Sequence, residues 1–407
     1  AFEIASLSKT IGSCFAMEHL RASGVALDAP VQPLLRACGS AFALRSLDAA
    51  HPDWADRVQV AHLMRHEALN MHYVHGVPAH RGMPALDELL PGNAAWRYEP
   101  VVVANDPGTR FAYSGGGFMV LEHLVQRRLG QPMHLATRAF LDSLGMRRTS
   151  FEQVADALPE IAKCFRDDGT MVEGGRLLFP GFAAGAVATP LDVARFLQSL
   201  TRAFHDLQGC GPISHETAVR MLHGQDRGSR EFMGCDMGLG VFTIDAGANR
   251  LAVHQGANDG CRALFVHCFH GPNAGAGLVI TATGEERAVA CIAEIARLLL
   301  GHLEVRGIDW SRLGDGGLAG SAPAEQRVNI GYRERLFRAF EPDLPEAIEA
   351  RGAVDPLARL NRAVGARVES VSNQRFARAE NLVSPHEPVF DPGLLDRKST
   401  RLNSSHR

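Results

Sequence analysis

The chain has 407 residues, of which 46% are hydrophobic and 21% are charged, a composition typical of a globular protein with two or three domains. Its formal net charge of −3 gives no electrostatic basis for nucleic-acid binding, and no apolar run approaches the roughly 20 residues of a membrane-spanning helix. The eight cysteines form no Cys-x-x-Cys pair and the 18 histidines form no His-Glu-x-x-His motif. We therefore expect no metal ion and no other cofactor. No disulfide framework can be derived from the cysteine spacing.

Hydrophobic periodicity predicts one early helix, several middle helices and a late group of strands. Apolar residues such as Ile11 and Phe15 recur at helical spacing after Ser6, and Gly24 offers a C-terminal stop. A loop-rich stretch follows as far as Trp96. The remaining predicted elements are helices over residues 118–129 and 183–200, strands over 237–244, 249–256, 261–269 and 277–283, and a final helix over 285–303.

This order of elements favours an α/β sandwich in the α+β sense. Successive strands late in the sequence can pair as one antiparallel sheet, and the helices before and after them can cover its faces. We expect the segment between the first helix and the strands to form a helical insertion.

Lysine is rare in this chain, and one lysine follows a serine by three positions. The basic residues comprise 39 arginines and only three lysines, and Lys9 closes the sequence Ser6-Leu7-Ser8-Lys9. Chance predicts only about 0.15 Ser-x-x-Lys pairs in such a chain. Residues three apart share a helix face, so Lys9 can reach the Ser6 hydroxyl, and lysine becomes a base when burial lowers its pKa. The pattern favours a serine nucleophile with a lysine base over an incidental pair at a helix start.

Two further side chains suit proton transfer or substrate binding. Tyr113 is one of only four tyrosines, and its phenol can relay a proton between nucleophile, base and leaving group. The alternative for Tyr113 is a core tyrosine ahead of a helix. His254 lies in a strand-like segment two residues before Gly256, where it can bind a substrate carboxylate or tune Tyr113 and Lys9. A lone histidine in a strand is otherwise structural.

Three segments, taken in chain order, resemble the class C β-lactamase-like serine hydrolases. That superfamily includes class C β-lactamases, D-alanyl-D-alanine carboxypeptidases, D-aminopeptidases and many esterases. The segment from Ser6 to Lys9 resembles its active-site start, the Tyr-Ser-Gly-Gly-Gly run from Tyr113 is similar to its Tyr-x-Asn motif, and the His-Gln-Gly run from His254 is similar to its Lys-Thr-Gly motif. The resemblance covers about residues 1–302 and implies metal-independent acyl-enzyme chemistry on an antiparallel sheet flanked by helices.

The resemblance also assigns an oxyanion hole and shows two departures from the family pattern. In that family the oxyanion hole consists of two backbone N–H groups, which here would be those of Ser6 and of Ala257, the residue after Gly256. Gly115 stands where the family has an asparagine that holds a lactam or peptide carbonyl. His254 replaces a lysine, so the charge facing a substrate carboxylate is weaker and depends on pH. Both departures favour an esterase or small-amide hydrolase over a β-lactamase.

Together these features predict a serine hydrolase that acts through an acyl-enzyme on an ester or small amide, with this small molecule as its expected partner and without nucleic acid. Within the enzyme class, the alternatives are a D-amino-acid peptidase and a β-lactamase. The alternative outside the enzyme class is a catalytically inactive, penicillin-binding-like sensor or binding module, which acylates without deacylating.

The sequence divides into four parts. Residues 1–302 form the predicted hydrolase domain, 303–330 a linker rich in small residues, and 331–396 a C-terminal segment of unknown function. Residues 397–407 resemble translated sequencing-adaptor DNA, and we interpret them as a non-native tail. Relatives carry a helix and one or two strands before the nucleophile, so we expect the domain to be truncated at its N-terminus. The resemblance implies a periplasmic or secreted protein.

Overall fold

A computed structural model of the protein describes residues 1–303 and residue 305. The predicted linker, C-terminal segment and tail lie outside the described residues, apart from residues 303 and 305.

Most of the described helices precede residue 236, and the long strands follow it. The described helices are α1 Ser8–Ala22, α2 Val31–Ala37, α3 Trp54–Arg57, α4 Val60–Arg65, α5 Leu86–Leu89, α6 Gly115–Leu129, α7 Met133–Ser143, α8 Pro190–Phe204, α9 His215–Met221, α10 Ser229–Met233 and α11 Glu286–His302. The described strands are β1 Phe2–Glu3, β2 Val77–Pro78, β3 Leu177–Leu178, β4 Val187–Ala188, β5 Asp236–Met237, β6 Phe242–Ala246, β7 Asn249–Asn258, β8 Cys261–His270 and β9 Gly277–Thr283.

The main sheet is antiparallel and contains β5 to β9 in sequence order. Its two longest strands, β7 and β8, pair with His254 opposite Phe265. Alternate residues face opposite sides: Ala252 and Phe265 pack with the earlier helices, whereas Leu251 and Leu264 pack with α11. Because both faces are covered, β8 reads as a nearly continuous apolar run rather than as an alternating one.

Helix α1 lies in the middle of the helical layer. All of its residues from Ser8 to Glu18 are buried, as expected for a helix enclosed on every side. It packs against α6, against α9 and against a π-type turn at Gly181–Gly185. Gly12 allows the Phe182 ring of this turn to lie close to the backbone of α1, because a Cβ atom at residue 12 would lie 2.7 Å from the ring. The first turn of α1, which carries Lys9, is therefore enclosed by protein.

The predicted fold class is confirmed. The main antiparallel sheet has helices on both faces, and further helices lie between α1 and this sheet. Two small antiparallel sheets accompany it in the described residues, one formed by β1 and β4 and the other by β2 and β3. None of the helices in the described part of the chain is both long and apolar enough to cross a membrane.

Two predicted elements differ from those observed. The helix expected over 183–200 begins only at Pro190, because Thr189 caps it through a side-chain hydrogen bond to the N–H of Asp192. The strand expected over 237–244 is two short strands, β5 and β6, joined by a turn in which Gly240 has a φ of +75°. In both cases a local capping or turn signal outweighs the apolar run.

A disulfide bond that the sequence did not predict joins Cys164 to Cys261 at the start of β8. The two cysteines are 97 residues apart and pack with Val172 in a small buried cluster. Such a distant pair has no characteristic spacing in the sequence.

Candidate active site

Ser6 lies in a single 3-10 turn, Ala5–Leu7, directly before α1. Ala5 has a φ of 46°, a left-handed conformation that is unfavourable for a residue with a Cβ atom. The turn is held by Ser8, whose hydroxyl donates to the Ala5 carbonyl at 2.5 Å and accepts the Ala186 N–H at 3.0 Å. As a result Ser6 lines a cleft while Ala5 and Leu7 are buried.

Lys9 lies one helical turn after Ser6 and is completely buried. Its Nζ atom lies 3.1 Å from Ser6 Oγ and donates to the Ala183 carbonyl at 2.5 Å. Burial lowers the pKa of Lys9 from 10.5 to about 7. This shift makes the neutral amine of Lys9 accessible near neutral pH, and a neutral amine can accept the Ser6 proton.

Tyr113 completes the cluster around the serine. Its phenol hydrogen-bonds with Ser6, and Lys9 Nζ lies 4.9 Å from the centre of its ring. Burial raises the pKa of Tyr113 above its usual range, more than the hydrogen bond to Ser6 lowers it. Because the lysine pKa is lowered and the phenol pKa is raised, Lys9 is the better base near neutral pH and Tyr113 retains its proton.

His254 is fully buried on β7 and is not among the residues that line the cleft. Its Nδ1 donates to the Gln255 carbonyl at 2.8 Å, and its ring lies 5.4 Å from that of Phe242. Burial, and after it the charge of Lys9, lowers the pKa of His254 to about 3. This placement differs from the expectation that His254 faces a substrate carboxylate, because β7 directs its side chain inward. The charge of Lys9 acts on His254, but the pKa of Lys9 is lowered by burial, so the placement fits the structural alternative for His254.

Strand β7 passes directly behind the turn that carries the serine. A Cβ atom on Gly256 would lie 2.5 Å from the Ile4 carbonyl oxygen and 3.1 Å from Ser6 N, so the backbone approach requires glycine. Ala257 follows and lines the same cleft as Ser6. Both residues assigned to the oxyanion hole by resemblance therefore border one cavity.

The cleft has a volume of about 430 Å³, and Gly115 lines it at the start of α6. A Cβ atom on Gly115 would lie 2.9 Å from Cγ1 of Val74. Val74 thus occupies the space that an asparagine at position 115 would need. Aromatic and charged side chains, among them Tyr73 and Arg97, line the rest of the cleft.

Three features of the site were not predicted from the sequence. The first is the Ala183 carbonyl that binds Lys9, since a backbone carbonyl leaves no trace in residue type. The second is His66, whose Nδ1 accepts the Ser114 N–H at 2.9 Å and whose ring stacks on Tyr113 at 4.2 Å. The third is His72, with its ring 5.1 Å from that of Tyr113. Of these three features, only His66 could have been found from the sequence. The Leu-Met-Arg-His run that ends at His66 resembles a Leu-Leu-Ser-His run of many members of the resembled superfamily.

One group in the described part of the chain has the spacing of a metal site. Glu3, Cys164 and Cys261 bring their ligand atoms within 4.8 Å of one another. The two cysteines are joined to each other, so in this state they offer no thiolate to a metal ion.

Comparisons with known proteins agree with this fold. A model of the beta-lactamase family matches residues 1–301. A D-stereospecific amidohydrolase from Streptomyces sp. is 16% identical over 69% of this chain and 82% of its own, with a TM-score of 0.53. A D-amino acid amidase from Ochrobactrum anthropi SV3 complexed with L-phenylalanine is 17% identical over 83% of both chains, with a TM-score of 0.51. An octameric penicillin-binding protein homologue from Pyrococcus abyssi is 18% identical over 69% of this chain and 61% of its own, with a TM-score of 0.47.

At such low identities the likeness to the Streptomyces and Ochrobactrum structures, both with TM-scores above 0.5, shows the fold alone. No curated protein matches the chain significantly. The family model covers about three quarters of the chain and includes all the elements that surround Ser6. The chain belongs to the beta-lactamase family.

Proposed function

We propose that the protein is a serine hydrolase that acts through an acyl-enzyme on an ester or a small amide. The observation that carries the proposal is the contact of Ser6 Oγ with Lys9 Nζ at 3.1 Å, together with the burial that lowers the pKa of Lys9 to about 7. A lysine kept for its charge would be paired or exposed, whereas this one is desolvated beside a hydroxyl that lines a cleft.

In the proposed acylation step, Ser6 Oγ attacks the substrate carbonyl and its proton passes to Lys9 Nζ. The resulting oxyanion accepts hydrogen bonds from the N–H groups of Ser6 and Ala257, each of which contributes about 3 kcal/mol by analogy with other oxyanion holes. The Tyr113 phenol donates its proton to the leaving oxygen or nitrogen and is reprotonated from the Lys9 ammonium. In deacylation, water attacks the acyl carbonyl and gives a proton to Lys9 or Tyr113. Ser6 Oγ then leaves, takes up a proton from the same pair, and the acid is released.

The choice of an ester or small amide is supported by the wall of the cleft at Gly115. An asparagine amide at this position would donate to a lactam or peptide carbonyl, and here Val74 occupies the corresponding space. An ester has the better leaving group and depends less on such a contact.

The test is Ser6→Ala, assayed with a fluorophosphonate probe and with p-nitrophenyl esters, D-Ala-D-Ala peptides and nitrocefin. We expect the wild-type chain to label and to hydrolyse the esters, and the folded variant to do neither. Turnover of D-Ala-D-Ala peptides or nitrocefin without ester turnover would favour the D-amino-acid peptidase or the β-lactamase. Labelling without any turnover would favour the sensor module, and no Ser6-dependent labelling would overturn the nucleophile.

A further inference from the structure

The carbonyl that binds Lys9 belongs to a turn that a buried carboxylate holds in place. Glu122 projects from α6 and is fully buried, and its Oε2 accepts the N–H of Phe182 at 2.9 Å. A second hydrogen bond comes from the N–H of Gly181. Both donors lie in the turn Gly181–Gly185, immediately before Ala183.

The packing around this turn is tight on two sides. A Cβ atom on Gly181 would lie 2.7 Å from Glu122 Oε1, and one on Gly12 would lie 2.7 Å from the Phe182 ring. The turn is thus fixed between α6, through the carboxylate, and α1, through the ring. Ala183 follows directly, and its carbonyl reaches Lys9 at 2.5 Å.

A buried carboxylate is unfavourable unless its hydrogen bonds offset the loss of solvation. Burial raises the pKa of Glu122 from 4.5 to about 7, while the N–H groups of Phe182 and Gly181 lower it in part. An apolar side chain would fill this space at lower energetic cost, but it would leave those two N–H groups without acceptors.

We propose that Glu122 is a positioning residue for Lys9, acting through the turn Gly181–Gly185. This inference rests on the proposed function, in which Lys9 is the base. A neutral lysine has two N–H bonds and one lone pair. When one N–H is held by the Ala183 carbonyl, the lone pair can point at Ser6 Oγ. If the turn moves, Lys9 keeps its burial and loses this orientation.

The test compares two variants of similar length in the full chain. Glu122→Gln keeps one carbonyl acceptor for the turn, and Glu122→Met keeps none. We expect kcat for a p-nitrophenyl ester to fall about 10- to 100-fold in Glu122→Met and less than about threefold in Glu122→Gln, with KM nearly unchanged in both. Fluorophosphonate labelling of Ser6 should slow in parallel. If the methionine variant does not fold, Glu122→Asp replaces it, because the shorter carboxylate cannot reach both N–H groups.

Glu18 provides a matched control for general destabilisation. It is another buried carboxylate, whose Oε1 accepts the N–H and the hydroxyl of Ser214 and whose Oε2 pairs with Arg21. These partners do not lie in the turn Gly181–Gly185. Glu18→Met should lower the melting temperature and leave kcat unchanged. A folded Glu122→Met or Glu122→Asp variant with wild-type kcat, or an equal loss in Glu18→Met, overturns the role of Glu122 and leaves the Ser6 nucleophile in place. A wild-type chain without Ser6-dependent labelling overturns both.

Discussion

Burial gives both titratable groups beside Ser6 their neutral form. Desolvation lowers the pKa of Lys9 to about 7 and raises the pKa of Tyr113. A neutral amine is a base, whereas a neutral phenol is an acid. In the proposed mechanism the same physical effect therefore provides one group to take the Ser6 proton and another to protonate the leaving group, with no carboxylate required at this step.

Lys9→Arg separates a base from a structural cation. Arginine keeps a positive charge but cannot accept a proton near neutral pH, so we expect acylation to slow by about 10²- to 10⁴-fold, or about 3–5 kcal/mol of barrier. The loss should appear in kcat with a modest change in KM, because the proton moves in the transition state. The measurement is steady-state kinetics on a p-nitrophenyl ester.

The control for Lys9→Arg is the melting temperature, since the larger guanidinium can disturb the packing of a fully buried site. A folded arginine variant with near-normal acylation would show that Lys9 is not the base. In that case Ser6 remains the nucleophile and Tyr113 becomes the candidate base.

The pH dependence of kcat/KM should report the ionisation of Lys9. Protonated Lys9 cannot act as a base, so we expect the rate to fall as the pH drops below about 7 and to level off above it. The buried His72 and His254 have pKa values lowered to about 3 and do not titrate in this range. Glu3, Glu67 and Glu122 have pKa values raised to about 7, so the pH profile must persist when each is replaced by glutamine. If the fall in rate below pH 7 disappears in one of these variants, that carboxyl and not Lys9 causes it.

Among the elements, regular periodicity predicted well and special turns did not. Strand β9 was predicted over its observed span. Helix α6 was predicted except for its first turn, because that turn consists of three glycines, which are poor helix formers, although the Ser114 hydroxyl caps it. The motif spacing predicted the contact of Ser6 with Lys9 correctly, because the 3-10 turn Ala5–Leu7 continues directly into α1 and residues three apart lie on the same side. Residues 183–185 of the turn Gly181–Gly185 fall within the helix predicted over 183–200, since small apolar residues fit that pattern and the carboxylate acceptor of the turn, Glu122, is distant in sequence.

Gly256→Ala tests the close passage of β7 behind the nucleophile. The new Cβ atom would meet the Ile4 carbonyl at 2.5 Å, so the strand and the Ser6 turn must separate. We expect kcat to fall about 10²-fold, the usual effect of misplacing one oxyanion donor, while the fold is retained. The measurement is kcat on a p-nitrophenyl ester.

Gly277→Ala is the matched control for that variant. It creates a similar contact on β9, 2.6 Å from the Val266 carbonyl, at a position that does not line the cleft. It should lower stability and leave kcat unchanged. Equal losses of kcat in the two variants would mean that distortion of the sheet as a whole, and not the oxyanion hole, limits the reaction.

At the scale of the whole molecule, the cleft combines segments that are far apart in sequence. Ser6 and Lys9 come from the chain start, Tyr113 from the segment before α6, Ala183 from the turn before α8, and Ala257 from β7. Tertiary packing alone brings them together, which is why short motifs indicated candidate residues but not the walls of the cleft. The disulfide bond Cys164–Cys261 closes a long loop across the same region.

Removal of this disulfide should weaken the fold without removing catalysis. The bond closes a loop of 97 residues, so Cys164→Ala with Cys261→Ala should lower the free energy of unfolding by about 2–5 kcal/mol, chiefly by freeing the unfolded chain. The contact of Lys9 with Ser6 and Ala183 is held by α1 and the turn Gly181–Gly185, so kcat should stay within about threefold. Urea unfolding with and without dithiothreitol measures the free energy of unfolding, and ester kinetics measure kcat. Wild-type stability should fall to the variant's level in reductant, while the variant does not respond. A parallel loss of ester turnover would show instead that the disulfide holds the catalytic residues in place.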